Sequence, residues 1–463
     1  MAALAPLAEF LANPAKPYRS DDVLARARLA LIDLIGVTLA GTREPVAAMV
    51  CQLQRLGGGE GRSQVIGLPL KASPVDAAFI NGVIGHALDF DDSNFVLGGH
   101  PSVVLFPGLL ALAEQQQLSG RAVLEAYVAG FEVMMRIAAT VNFHHYEKGW
   151  HPTATLGVFG AAAAAARLMQ LDATACANAL GLAASFSSGI KENFGSIAKS
   201  IQVGNAASRG LLAAQLAAQG ATAAQTALDG ARGFFEVFNG AQTYNLQQLA
   251  IDPDHPELMR SGISFKRYAC CGSTHVGIDA ALRLRAQAGF DAQKIRSVRL
   301  EINARRIPHV NRPVLSEPLA AKFSLQYTVA AALCDGGVGL SHFTPEAITR
   351  PDLRALMAKV EIGAIAQTSE ALGQPCRLRV QMHDGAELEV SLDGPLGREI
   401  EAYPTYMEQK FLDCASQALD MAASRRLFAL LCEFENAPDV AALLAASLPL
   451  QANDQIPEAA RRV

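Results

Sequence analysis

Four stretches of this chain gather histidines, lysines and aspartates, residue types that together can move a proton beside a carboxylate. The densest is "NGVIGHALDFDDSNFVLGGHP", Asn81 to Pro101, which holds His86, Asp89, Asp91, Asp92, Ser93 and His100 in a chain of which only 18% of residues are charged. A second, "NFHHYEKGWHPTATLG", crowds His144, His145, Tyr146 and His151 around the only tryptophan, Trp150. A third, "SSGIKENFGSIAKSIQVGNAASRG", places Lys191 and Lys199 before an apolar helical pattern, and a fourth, "FKRYACCGSTH", joins Lys266, Arg267 and His275. Imidazole exchanges its proton near neutral pH, and an ammonium group steadies negative charge growing on a carboxylate. The chemistry suggested is acid–base work on an anionic small molecule.

Other readings of these stretches are weaker. A haloacid-dehalogenase-type "DxDxS" nucleophile needs a buried strand before it, whereas "AAFINGVIGHAL" reads as helix. A terpene-synthase "DDxxD" fails because Phe95 stands at the third aspartate position. A His86/Asp89/His100 metal site matches no closed ligand spacing, so no metal is expected. Asp91 and Asp92 read as helix caps or partners of arginines. Asp89 lies three residues beyond His86 and, if the helix continues, shares its face, where a carboxylate orients an imidazole and raises its pKa. His144 and His145 read as incidental loop histidines and Lys191 as solvated. His151 is singled out because His100-Pro101 and His151-Pro152 are the same step into an apolar helix, and Pro suits the first helical turn. Cys270 and Cys271 read as packing thiols, with no feature that lowers a thiol pKa.

The elements that must position these groups are mostly helices. From Asp21 to about Gly262, block after block repeats apolar residues at three- and four-residue spacing, beginning with "DDVLARARLALIDLIGVTLAG". Abundant alanine and glycine imply close helix approach. "KIRSVRLEINARRI" and "CRLRVQMHDGAELEVSLDG" alternate with period two, the second around an "HDG" turn, so an antiparallel sheet with helices is expected. "YMEQKFLDCASQALDMAASRRLFALLCEF" turns helical again and is expected to return to the first bundle. The fold class is therefore mainly α: an all-helical domain built from both chain ends (1–262 and 397–463) plus a smaller α+β lid (263–396).

Bulk properties narrow the partners. At 463 residues two domains are the prior. The net charge of −5 and the lack of a basic stripe argue against nucleic acid. The longest greasy stretch, "TLGVFGAAAAAARLMQL", is mostly alanine and is broken by Arg167, so it reads as a buried helix and no membrane is expected. Scattered cysteines and no secretory pattern at the start point to the cytoplasm.

Taken together, "NGVIGHALDFDDS", "GHPSVVLFP", "GWHPTATLGVFGAA" and "KRYACCGSTHVGIDA" resemble the MmgE/PrpD family, which includes 2-methylcitrate dehydratases, cis-aconitate decarboxylases and iminodisuccinate epimerases. The resemblance implies a homodimer, a cleft active site between the two domains, no required metal or cofactor, and a small di- or tricarboxylate substrate. It implies site roles for Asp89, Ser93, His100, His151, Lys199, Lys266 and His275, and Tyr146 resembles a tyrosine of the epimerase-like branch. Two departures stand out: Gln202 where many members carry histidine, and "AASR", which puts Ser208 at an arginine position and Arg209 one place on. On this reading Lys199 and Lys266 clamp substrate carboxylates, aided by Ser93 and Tyr146, while His100, His151 and His275 transfer protons and Asp89 tunes a histidine. The leading expectation is a hydro-lyase acting on a 2-methylcitrate-like acid. An epimerase of an imino or amino dicarboxylate is the runner-up, and a cis-aconitate-type decarboxylase or a non-catalytic binding protein on the same fold are further alternatives.

Overall fold

The computed structural model describes residues 3–14, 16–57, 61–365, 375–394 and 403–449. The protein is mainly helical with a smaller α+β part. Its larger portion is built on α1 (Asp21–Gly41), α2 (Pro74–His86), α3 (Ser102–Gln116), α4 (Gly120–Val141), α5 (Gly157–Leu168) and α6 (Ala198–Ala218). Ser73 accepts from the Asp76 amide with Pro74 in the first turn of α2, and Ser119 caps α4. The alanine run forms α5, and almost every residue of it is buried.

Small residues set how near the helices come. A Cβ on Gly204 of α6 would stand 2.5 Å from the Phe79 carbonyl oxygen and 2.4 Å from a methyl of Val83 on α2, and Gly82 sits against Gly204 in return. Only glycine permits this backbone contact. Because α2 and α6 run past each other there, the residues just after α2 meet those at the start of α6, which is how Asp89 reaches Lys199.

The α+β part holds α7 (Gly272–Arg285), α8 (Leu325–Asp335) and four strands: β1 (Ile295–Asn303), β2 (Val360–Ile365), β3 (Cys376–Met382) and β4 (Glu387–Leu392). The sheet order is β2-β1-β3-β4. β3 and β4 form the anticipated hairpin, its turn closed by the Gly385 amide donating to the Met382 carbonyl. The all-antiparallel expectation is corrected at the other edge, where β2 lies parallel to β1. A parallel neighbour needs a long crossover, and the chain from 304 to 359 supplies it through α8. Val298, Leu300 and Ile302 turn inward toward the helices, while Arg299 faces out.

The apolar interior of the described residues forms one large cluster from Ala3 to Phe265 that also takes in Met407 to Leu444, a second from Tyr268 to Leu392, and a smaller third around Val46, Val65, Ile80 and Ile84. The second borrows Val37, Ala40, Leu88, Phe90 and Cys414. The C-terminal helix α9 (Tyr403–Ala415) returns to α1, where Lys410 pairs with Asp33 at 2.6 Å, both buried. The 396/397 limit expected for the smaller domain lies outside the described residues. No helix among the described residues is long and apolar enough to cross a membrane.

Candidate active site

The loop from α2 to α3 carries the centre of the site. Its first turn corrects one expectation: α2 ends at His86, and Asp89 takes a left-handed φ of 51° instead of continuing the helix. A residue with a Cβ visits that region at a cost of about 1–2 kcal/mol, least for Asp and Asn. Three lysines hold the turn. Lys322 donates to the Leu88 carbonyl at 2.7 Å, Lys266 to that of Asp89 at 2.6 Å and Lys410 to that of Phe90 at 2.9 Å. All three lysines are buried. Consecutive carbonyls are thus fixed by ammonium groups from three distant segments.

The three aspartates take three different tasks. Asp89 Oδ1 receives Lys199 at 2.7 Å and Lys266 at 3.0 Å, with His100 Nε2 at 3.5 Å. Burial works against its charge, but the two ammonium groups prevail and hold the carboxyl well below its usual range. The Lys266 ammonium is likewise held above its usual range, Asp89 and Asp91 outweighing burial. Asp91, and not Asp89, orients the imidazole of His86, with Nδ1 2.8 Å from its carboxylate. Asp92 caps α3 through the Ser102 amide at 3.2 Å and also receives the Ser102 hydroxyl, so the capping expectation holds there. Burial first, then Asp33, pushes Asp92 well above the usual carboxylate range.

The imidazoles meet above these carboxylates. The His86 ring lies 4.6 Å from that of His100 and 6.3 Å from that of His151, centroid to centroid. His100 Nδ1 donates to the Asp92 carbonyl at 2.6 Å. Asp89 does act to raise His86 and His151, as expected, but burial outweighs it. Burial drives His86, His100 and His151 well below the usual histidine range, and Lys199 adds to this at His86 and His151. A neutral imidazole is a base in waiting. The Nε2 atoms of both His86 and His151 are buried without a hydrogen-bond partner among the described residues.

Around this centre, Tyr146 lies with Lys191 Nζ 3.6 Å above its ring, and the same ammonium donates to the Tyr146 carbonyl at 2.8 Å. Lys191 therefore belongs to the wall of the site and is not a solvated lysine. Burial, with Cys271 next, raises the Tyr146 phenol and keeps it protonated. Ser93 is engaged by backbone pairing with Ser264, which ties the loop to the segment leading into Lys266. His275, on the first turn of α7, is buried with its ring edge-on to Tyr268. Burial pushes the Cys270 thiol up to about 12, as suits a packing residue. His145 corrects the loop reading: it is fully buried between Asn239 and Thr155 and held down to about 4 by burial. Arg209 is exposed, so the shifted arginine points away from the site.

Residues 5–247 match the model of the MmgE/PrpD N-terminal domain and residues 268–433 that of the MmgE/PrpD C-terminal domain. The chain belongs to the MmgE/PrpD family. Among its relatives, a cis-aconitate decarboxylase from Homo sapiens is 30% identical over 444 residues, covering 92% of this chain and 90% of that protein. A cis-aconitate decarboxylase from Aspergillus terreus is 27% identical over 452 residues, covering 91% of each. A 2-methylcitrate dehydratase from Cupriavidus necator is 24% identical over 417 residues, 83% of this chain and 84% of that protein.

In this MmgE/PrpD chain His86, Asp89, Asp91 and His100 also bring ligand atoms within 4.8 Å of one another, a grouping able to hold a cation. Lys199 and Lys266 already supply positive charge at its centre, and a divalent ion there would face both ammonium groups. Sequence reasoning missed Lys322 and Lys410; a lysine flanked by apolar residues in "AAKFSLQYT" is a signal for the first, and "MEQKFLD" carries none for the second. It also left Gln202 as a departure without a role, although its side chain contacts His151 at 2.8 Å.

Proposed function

We propose that this protein is a lyase of a small di- or tricarboxylate, working without a cofactor by proton transfer at a carbon next to a carboxylate. The observation that carries this reading is a buried pair of bare imidazole nitrogens, His86 Nε2 and His151 Nε2, beside the Lys199–Asp89–Lys266 group. A carbon acid of this kind is too weak for an unaided base. The remaining N–H bonds of the two ammonium groups can steady negative charge as it spreads onto the substrate carboxylate, a contribution of about 3–4 kcal/mol per well-placed donor in comparable anion sites. A positioned base adds on the order of 100- to 10,000-fold. Tyr146, held protonated, can donate a hydrogen bond to a substrate oxygen. Ser93 and His275 complete the polar surroundings expected of the substrate pocket, and a homodimer is the assembly proposed.

Bases held neutral favour proton abstraction, and hence dehydration of a 2-methylcitrate-like hydroxy acid. A second reading, decarboxylation of a cis-aconitate-like acid, is favoured by the higher identity to proteins of that name. One experiment tests both. The purified protein is incubated in D₂O with 2-methylcitrate, citrate, cis-aconitate and iminodisuccinate, and NMR follows alkene formation, carbon dioxide loss and exchange. A new alkene with loss of hydroxyl establishes the hydro-lyase, and carbon dioxide release from cis-aconitate the decarboxylase. Exchange with stereochemical scrambling alone identifies an epimerase and overturns the lyase reading, as does a lack of turnover with every acid.

A further inference from the structure

His151 is kept neutral by its surroundings, first by burial and then by the Lys199 ammonium. A neutral imidazole carries one proton, and the nitrogen that lacks it is the one able to act as base. Gln202 decides which. Its Nε2 donates to the Ile190 carbonyl at 3.2 Å, which fixes the direction of the amide and leaves Oε1 2.8 Å from His151 Nδ1. A carbonyl oxygen only accepts, so the proton of His151 resides on Nδ1.

The frame around this contact is rigid. The His151 amide donates to the Gly189 carbonyl at 3.1 Å, that of Lys191 to the Gly149 carbonyl at 2.8 Å, and Trp150 bridges Ile190. The segment carrying His151 is therefore paired with the segment whose Ile190 carbonyl receives the Gln202 amide. We propose that Gln202 is a positioning residue that locks His151 in its Nδ1–H tautomer and so presents Nε2 as the atom that takes the substrate proton. An amide suits this task better than a carboxylate. It fixes the tautomer without adding a negative charge, which would raise the ring pKa.

This inference rests on the proton-abstraction reading above, and its test separates the two. The tautomer is read on the substrate-free protein, uniformly labelled at histidine, from long-range ¹H–¹⁵N correlations, with His151→Gln used to assign the ring. The expected result is a proton-bearing Nδ1 and a lone-pair Nε2 in the native protein, and loss of that single tautomer in Gln202→Leu. On the substrate that the NMR screen identifies, Gln202→Leu should lower kcat on the order of 100-fold with KM little changed. In Gln202→Glu the acceptor is kept and a charge added. The other groups facing the ring are Lys199 of α6, His86 at the end of α2 and Asp89 in the loop. That variant should keep the tautomer but move the acidic limb of the kcat/KM profile to higher pH. A proton on Nε2 in the native protein, or an unchanged tautomer and kcat in Gln202→Leu, overturns the inference. A locked tautomer in a protein that transforms none of the acids overturns the functional reading alone.

Discussion

Replacing Asp89 by asparagine keeps the shape of the side chain and removes the one negative charge between two buried ammonium groups. At an effective dielectric near 20, contacts at 2.7 Å and 3.0 Å are each worth about 6 kcal/mol before desolvation is counted. Burial of the ions offsets much of this, and breaking such a pair from one side costs about 3–5 kcal/mol. The unfolding free energy of Asp89→Asn at pH 7.5, measured by urea titration, should fall by that amount. The pH dependence gives a sharper check, because the sign reverses. In the native protein the Lys266 pKa is raised, so its contribution is fully present below the unfolded lysine value of about 10.4 and is lost as pH climbs through the folded value. In the variant Lys266 keeps its burial and loses Asp89, the larger of the two carboxylates that raise it, so its folded pKa drops and stability should rise with pH on the approach to about 10.4. The variant's curve climbs below about pH 10.4, and the native curve falls above it. Parallel curves between about pH 8 and 11, or a loss well under 1 kcal/mol at pH 7.5, would refute the assignment of Asp89 as the counterion that organises the site.

Two further outcomes follow from the buried groups. Lys410→Met should lower the urea midpoint by the equivalent of about 3–5 kcal/mol, because Asp33, whose carboxyl burial already pushes up, is left buried without its ammonium partner. Adding Asp33→Asn to it should recover part of that loss, and purely additive effects would show that the pair is not coupled. His145, held to about 4 in the folded protein against about 6.5 unfolded, takes no proton in the native state over a window where the unfolded chain does. Stability should therefore fall by about 3 kcal/mol between pH 6.5 and 4 on its account, and His145→Asn should show a shallower acid slope in a thermal-unfolding series, an equal slope counting against the assignment.

Much of the architecture was legible because periodicity and caps are local. The helix signals of α2, α4 and α5 and the alternation of β1, β3 and β4 need only neighbouring residues to be read. The parallel strand β2 was not anticipated, since its partner lies some 60 positions earlier in the chain and no local pattern announces a crossover. Site residues divide along the same line. His100, His151, Lys199 and Lys266 stood out by type and motif, but the task of each aspartate depends on where a left-handed turn at Asp89 sends the chain. That turn breaks the helical register on which the His86–Asp89 pairing relied. His145 was misplaced because much of its burial comes from Asn239, Phe234 and Phe238, some 90 positions along the chain.

The three lysines on the carbonyls of residues 88–90 tie the site to the fold as a whole. Lys266 and Lys322 come from the α+β part and Lys410 from the returning C-terminal helix, while the carbonyls belong to the N-terminal bundle. A carbonyl accepts a neutral donor equally well, so hydrogen bonding alone does not require ammonium groups here. What an ammonium adds is positive charge, and only Lys266 delivers it to a site carboxylate, reaching both the carbonyl and Oδ1 of Asp89. Lys410 is neutralised by Asp33, and burial holds the Lys322 ammonium below its usual range. One lysine is thus electrostatic as well as structural, and the other two chiefly hold the turn. The left-handed Asp89 conformation, unfavourable in isolation, is held by lysines from three segments, so the geometry of the site depends on all three being packed around it.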